Sequence, residues 1–333
     1  IHGRTYNPWN DWASPGGSSG GASAAVMSGM GSLAHGNDIA GSLRIPSTAT
    51  GACTVKPGLG RVPAFNPSQT QERGLVAQLM SVQGIIAREI KDVRLGMQSL
   101  INYDPRDPWM VEVPFESKSV TSPIKIGYTK ETLGEVLHPA VDKALENAIE
   151  ALKDAGYILE EIVLPEFQDA TNYSARTLFG ELKALHEKDY KKLGSKNFNL
   201  VADNYSLIIS PFEGEDLLLG MAKRSYFFRE WNLFFSKYPL VLTPFLLYPT
   251  YEWDRDLQGL EGTKEVLAGM FYAHTMNYMG IPAGVVSANY NDGLPVGVQI
   301  ISSRFCEDII LKACEEIEKR VGIMAEKLFE RGI

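Results

Sequence analysis

Between Ser14 and Gly60 the chain is built almost entirely from glycine, serine, alanine and threonine, with hardly any charge. The run Gly16-Gly17-Ser18-Ser19-Gly20-Gly21 reads as a tight loop, because glycine reaches backbone angles that other residues resist. Ala22 to Met30 reads as a helix of small residues, which permit close packing and so predict deep burial. Leu33-Ala34-His35 reads as a short strand. Arg44 to Ala52 reads as a second buried helix, with Pro46 tolerated in its first turn.

Beyond this tract strands and helices alternate. Ile86 to Ile101 reads as an amphipathic helix and Ile124 to Tyr128 as a strand. Pro139 to Ala155 reads as a helix with Val141, Leu145, Ile149 and Leu152 on its apolar face, ended by Gly156. Ile158 to Leu164 is a second strand, and the β-helix-β order predicts a parallel pair. Residues 165–235 mix aromatics with charges and read as a helical cover. Leu240 to Pro244 is a strand and Lys264 to Met279 a helix. Ile281 to Ala288 and Pro295 to Ser302 form a hairpin around Asn291-Asp292-Gly293, and Glu307 to Arg320 is a closing helix with Cys314 in the core. The predicted fold class is α/β: one large domain, residues 1–333, with a mixed twisted β-sheet flanked by helices on both faces.

The 333 residues carry a net charge of −8, which argues against nucleic acid or an anionic membrane as the main partner. Cys53, Cys306 and Cys314 are odd in number and lack CxxC spacing, so neither a disulfide framework nor a zinc site is expected. The simplest compartment is a reducing, cytoplasmic one. His2, His35, His138, His186 and His274 are scattered, without metal-ligand spacing. No cofactor or metal is expected. The apolar stretch from Pro239 to Pro249 is too short to span a bilayer.

The residues SPGGSSGGASAAVMSGMGSLAHGNDIAGSLR, from Ser14 to Arg44, resemble the amidase signature: a GGSSGG loop, a small-residue helix, then a D-x-G-G-S-[IL]-R turn. Ser18 and Ser42 stand 24 residues apart, the family's spacing between its two catalytic serines. Tyr6 to Asn10, Val55 to Pro57, Gly60 to Pro63, Gln83 to Arg88, Asp104 to Pro108 and Gly293 to Gln299 are also similar to the family, so the resemblance covers nearly the whole chain and is weakest at 165–235. Two departures stand out. Ala40 replaces a glycine, giving DIAGS, and Ile85 replaces a common proline. The His35-to-Ser42 variant resembles the subgroup of cyclic aminohexanoate dimer hydrolases.

The resemblance implies an amidase working through an acyl-enzyme on Ser42. It implies a serine–serine–lysine relay with Ser18 in the middle, on a cis Gly17–Ser18 peptide. It implies an oxyanion hole from the backbone N–H groups of Ile39, Ala40, Gly41 and Ser42. Gly16, Gly17, Ser19, Asp38 and Arg44 would support the site, the last two by orienting the turn. The implied partner is a small-molecule amide; a homodimer is left open. The relay's lysine belongs on a segment before the glycine loop. The first lysine here is Lys56, after the signature, so the expectation is that an N-terminal portion carrying the base is missing. The alternative function is a glutaminase-type amidotransferase subunit feeding ammonia to a partner.

Shorter motifs weigh less. Gly16 to Gly20 also satisfies G-x-S-x-G, but a turn-rich stretch precedes it where a nucleophile elbow needs a strand. Ser122 to Lys125 satisfies S-x-x-K beside Pro123, which denies the helical turn. No G-K-[ST] follows the glycine loop, which removes phosphate binding.

Overall fold

The computed structural model describes residues 3–117 and 123–332; His2 and Ser122 of the motifs above lie outside them. Its core follows from strands that are apolar on both sides. In β6 (Leu240–Pro244), β7 (Ala283–Asn291) and β8 (Leu294–Ser302), neighbouring residues such as Val285 and Val286, or Ile300 and Ile301, are both buried. A strand that buries both faces must sit in the middle of a sheet covered on both sides. These three lie centrally, with β1 (Leu33–Asp38), β2 (Cys53–Lys56), β3 (Val82–Ala87), β4 (Lys125–Tyr128) and β5 (Ile158–Glu161) completing an eight-stranded sheet of order β1-β3-β2-β7-β8-β6-β4-β5. β4 runs parallel to both β5 and β6, and the other pairings are antiparallel, so the sheet is mixed. The β7–β8 hairpin turns at Asp292 and Gly293, both at positive φ, as a two-residue loop requires.

One face of the sheet packs against α4 (Ile90–Leu100), α5 (Pro139–Asp154) and α11 (Glu307–Val321). Val141, Leu145 and Leu152 of α5 and Cys314 of α11 enter that core, and Ile149 packs at its edge. The other face packs against α3 (Leu75–Met80), α6 (Phe167–Leu193), α8 (Gly214–Lys237) and α10 (Phe271–Met279). A third cluster joins α1 (Gly20–Met27), Trp9, Leu43 beside α2 (Arg44–Thr50), Ile86 and α12 (Met324–Glu330). α7 (Lys196–Ile209) and α9 (Gly259–Ala268) pack on one another, with Asn204 of α7 bonded to Thr263 of α9. Among the described residues no helix is long and apolar enough to cross a membrane.

Several expected boundaries are corrected. Ile86 to Ile101 is not one helix: β3 ends at Ala87 and α4 begins at Ile90. Val82 and Gly84 to Ala87 are buried, and such an apolar run looks the same in a strand as in a buried helix. Lys264 to Met279 is split into α9 and α10 at Gly269-Met270, where the Tyr251 hydroxyl leaves no room for a side chain on residue 269. The 158–164 strand stops at Glu161, and β2 and α3 have no counterpart in the sequence reading.

Residues 165–235 contain α6, α7 and most of α8, and their buried aromatics belong to the core between this layer, α10 and the sheet. Phe227 and Trp231 are fully buried, Tyr173 meets Phe212 and Phe227 at ring separations of 5.3 and 5.6 Å, and Trp231 donates from Nε1 to Pro165 O at 3.0 Å. Trp231→Ala is therefore expected to cost about 3–5 kcal/mol. Denaturant unfolding should show a lower midpoint within one cooperative transition; a second transition would mark the helical layer as a separate unit.

Candidate active site

The glycine loop, α1, β1 and the turn into α2 meet at one end of the sheet. β1 ends at Asp38, and residues 39–43 form the turn before α2. Gly41 sits at φ 110°, and an added Cβ there would lie 2.7 Å from the Cβ of Ala273. Small residues at this crossing are a steric demand of α10 lying against the turn.

Asp38 and Arg44 brace the turn, and both are fully buried. The Asp38 carboxylate accepts from Gly41 N–H at 2.8 Å, Leu43 N–H at 3.2 Å, Arg44 Nε at 3.0 Å and Arg44 Nη2 at 3.1 Å. Arg44 donates further to Gln299 Oε1, Asn277 Oδ1 and Ala273 O at 2.7, 2.5 and 2.9 Å. Burial pushes the Asp38 carboxyl up, but the Arg44 guanidinium, with Lys56 and the Gly41 amide, holds it below the ordinary carboxylate range. Asn277 of this network has no part in the sequence reading, and Gln299 enters it only as the end of a family-similar segment, without a site role. Their spacing from the signature, more than 200 residues, gave no local signal.

Ser42 is half-buried and Ser18 exposed. The Gly17–Ser18 peptide is cis. The two serine segments are joined by Ser19 N–H donating to Ser42 O at 3.3 Å. Among the described residues no hydrogen bond joins the two hydroxyls directly. Ser19 precedes α1 and its side chain faces Gly36 of β1, where a Cβ would come within 2.8 Å of Ser19 Oγ. At Gly16, φ is 74° and a Cβ would press on Ile45 and Pro46, so the loop can lie against α2 only with glycine there. Gly17 faces open space.

The four expected oxyanion amides do not behave alike. The Gly41 N–H is engaged by Asp38 Oδ1. Among the described residues no hydrogen bond engages the N–H of Ile39, Ala40 or Ser42. A surface cleft of about 640 Å³ lies between Phe65, Arg73 and Trp109 and includes neither serine.

Lys56 is fully buried at the end of β2 and donates from Nζ to Pro57 O at 3.0 Å. Burial, then the nearby Arg44 charge, lowers its pKa to about 7, against the opposing pull of Asp38 and Glu307. In the unfolded chain it would titrate near 10.4. Between these values the unfolded state binds more protons, so stability should rise from pH 7 to pH 10. Lys56→Met is expected to remove that rise. Denaturant midpoints of both proteins across the range check it, and parallel profiles would reject it.

The sequence model of the amidase family matches residues 1–311. An indoleacetamide hydrolase of Bradyrhizobium japonicum is 37% identical over 331 residues, covering 99% of this chain and 71% of its own length. The one from Bradyrhizobium diazoefficiens is 38% identical and covers 99% of this chain, which spans 63% of that relative's length. The crystal structure of a subunit of glutamyl-tRNA(Gln) amidotransferase from Thermotoga maritima superposes with a TM-score of 0.73 at 26% identity, over 96% of this chain and 69% of that one. The 6-aminohexanoate cyclic dimer hydrolase structure gives 0.78 at 22% identity, over 95% and 70%, a likeness of fold. With the braced turn, the two serine segments and nearly the whole sequence matching, the chain belongs to the amidase family.

Proposed function

We propose that this protein hydrolyses a carboxylic amide through an acyl-enzyme on Ser42. The observation that carries the reading is the turn itself: Asp38 and Arg44 hold it, and the amides of Ile39, Ala40 and Ser42 are left unengaged beside the Ser42 hydroxyl. Ser42 Oγ would attack the carbonyl carbon and lose its proton through Ser18 to a base. The oxyanion would rest on the free amides. Collapse breaks the C–N bond as the proton passes to the leaving amine, and water then releases the acid. Gly16, Gly17 and Ser19 hold Ser18 in place. Lys56 is bonded to Pro57 O, and we assign it no part in the relay.

The substrate proposed is an arylacetamide, on the strength of the two indoleacetamide hydrolases. Residues 165–235 would act as the cover over it. The buried aromatics of that layer already partner one another, so they do not by themselves select an aryl group. The glutaminase-type alternative draws on glutamyl-tRNA(Gln) amidotransferase subunits such as that of Methanosarcina mazei, 27% identical over 95% of this chain.

Purified protein, assayed without a partner, should hydrolyse indole-3-acetamide in preference to glutamine; the reverse preference favours the amidotransferase reading. Ser42→Ala should lower turnover at least about a thousandfold with an unchanged denaturant midpoint. A fluorophosphonate should label Ser42, and labelling of Ser18 in its place would overturn the assignment.

A further inference from the structure

Asn277 lies on α10, fully buried, far along the chain from the signature. Its Oδ1 accepts from Arg44 at 2.5 Å. Its Nδ2 donates to Asp38 O at 2.9 Å and to Met80 O at 3.0 Å. The Asp38 carbonyl is half of the peptide unit whose other half is the Ile39 N–H. In a planar trans peptide the C=O and N–H point to opposite sides. Fixing the carbonyl toward Asn277 therefore fixes the Ile39 N–H away from α10. Asp38 governs the next stretch by a separate route, since its carboxylate takes the Gly41 and Leu43 amides. Nothing in that route sets the orientation of the Asp38–Ile39 peptide.

We infer that Asn277 is a positioning residue for amide hydrolysis: it aims the Ile39 N–H at the oxyanion by holding the Asp38 carbonyl, while its Oδ1 holds Arg44. This rests on the acyl-enzyme reading of Ser42. An alanine would free the Asp38–Ile39 peptide to rotate. An aspartate is nearly isosteric and keeps an acceptor for Arg44, but loses the donor that holds the carbonyl. Its carboxylate would also face the carbonyls of Asp38 and Met80, so the denaturant midpoint of each variant is measured beside its kinetics.

The test compares wild type, Asn277→Ala and Asn277→Asp on indole-3-acetamide, together with an indolylmethyl boronic acid as tetrahedral mimic and indole-3-acetate as ground-state ligand. Loss of one oxyanion donor costs about 10²–10³ in rate. Both variants should lose kcat on that scale, with KM within about threefold of wild type. Boronate affinity should fall in parallel with kcat, and indole-3-acetate affinity should stay unchanged. Retained kcat in either folded variant, or equal loss of boronate and acetate binding, overturns the inference. If both variants fail to fold, Asn277 serves the fold and the inference is again overturned. If wild type hydrolyses no amide and Ser42 resists the fluorophosphonate, the acyl-enzyme reading fails, and this inference with it.

Discussion

The ion pair of Asp38 with Arg44 is the interaction on which the site depends. Two fully buried charges lose their hydration, which costs several kcal/mol per ion unless geometry and hydrogen bonds offset it. Here they do so unusually fully. The carboxylate accepts four hydrogen bonds, and the guanidinium reaches two side-chain amides and a main-chain carbonyl besides. Such a pair adds less to net stability than its hydrogen bonds suggest. What it does fix is the path of the chain from β1 into α2, through bonds to two of the amides on that path.

That fixing explains the composition of the signature. A carboxylate at the end of a strand can collect the amides three and five positions on only if the chain doubles back tightly. Gly41 allows this at φ 110° and leaves room for Ala273 and Ile45. Ala40, where the family has glycine, is partly buried against the apolar cluster beside α10. Its methyl group therefore has a place to go, and its main-chain N–H stays unengaged among the described residues.

What could be read from the sequence divides along physical lines. Elements with a charged side or a turn marker announced themselves: α5 by its charged face, and the β7–β8 hairpin, though buried, by Asp292-Gly293 at its turn. Buried elements without such a marker did not. β2 is buried at all four residues, and β3 continues its apolar run toward α4. The candidate serines and the Asp38–Arg44 brace were legible because they sit in one local motif. Asn277 and Gln299 complete the brace from distant segments, and no spacing rule connects them to it. The engagement of the Gly41 amide was hidden for another reason: a motif names which amides lie in a turn, and only coordinates say which of them are already bonded.

α10 stands between the turn and the helical layer of α6 and α8. One side of α10 presents Ala273 and Asn277 to the turn. Other residues face the cover: His274 Nδ1 meets Ser174 Oγ of α6 at 2.5 Å, Thr275 meets Thr171, and the Tyr278 hydroxyl donates to Gly220 O of α8. Arg224 of α8 donates to the carbonyls of Tyr278 and Met279 at the end of α10, which fastens the two helices end to side. The helix thus has one face on the turn and another on the layer of α6 and α8. His274 does not carry charge between them, because burial, with the Arg44 charge behind it, lowers its pKa to about 4. It is neutral at physiological pH, so the contact between cover and α10 holds without titrating where the turn must work. The layer meets α10 through hydroxyl and imidazole contacts on one side, and the amide and carbonyl bonds that hold the turn lie on the other.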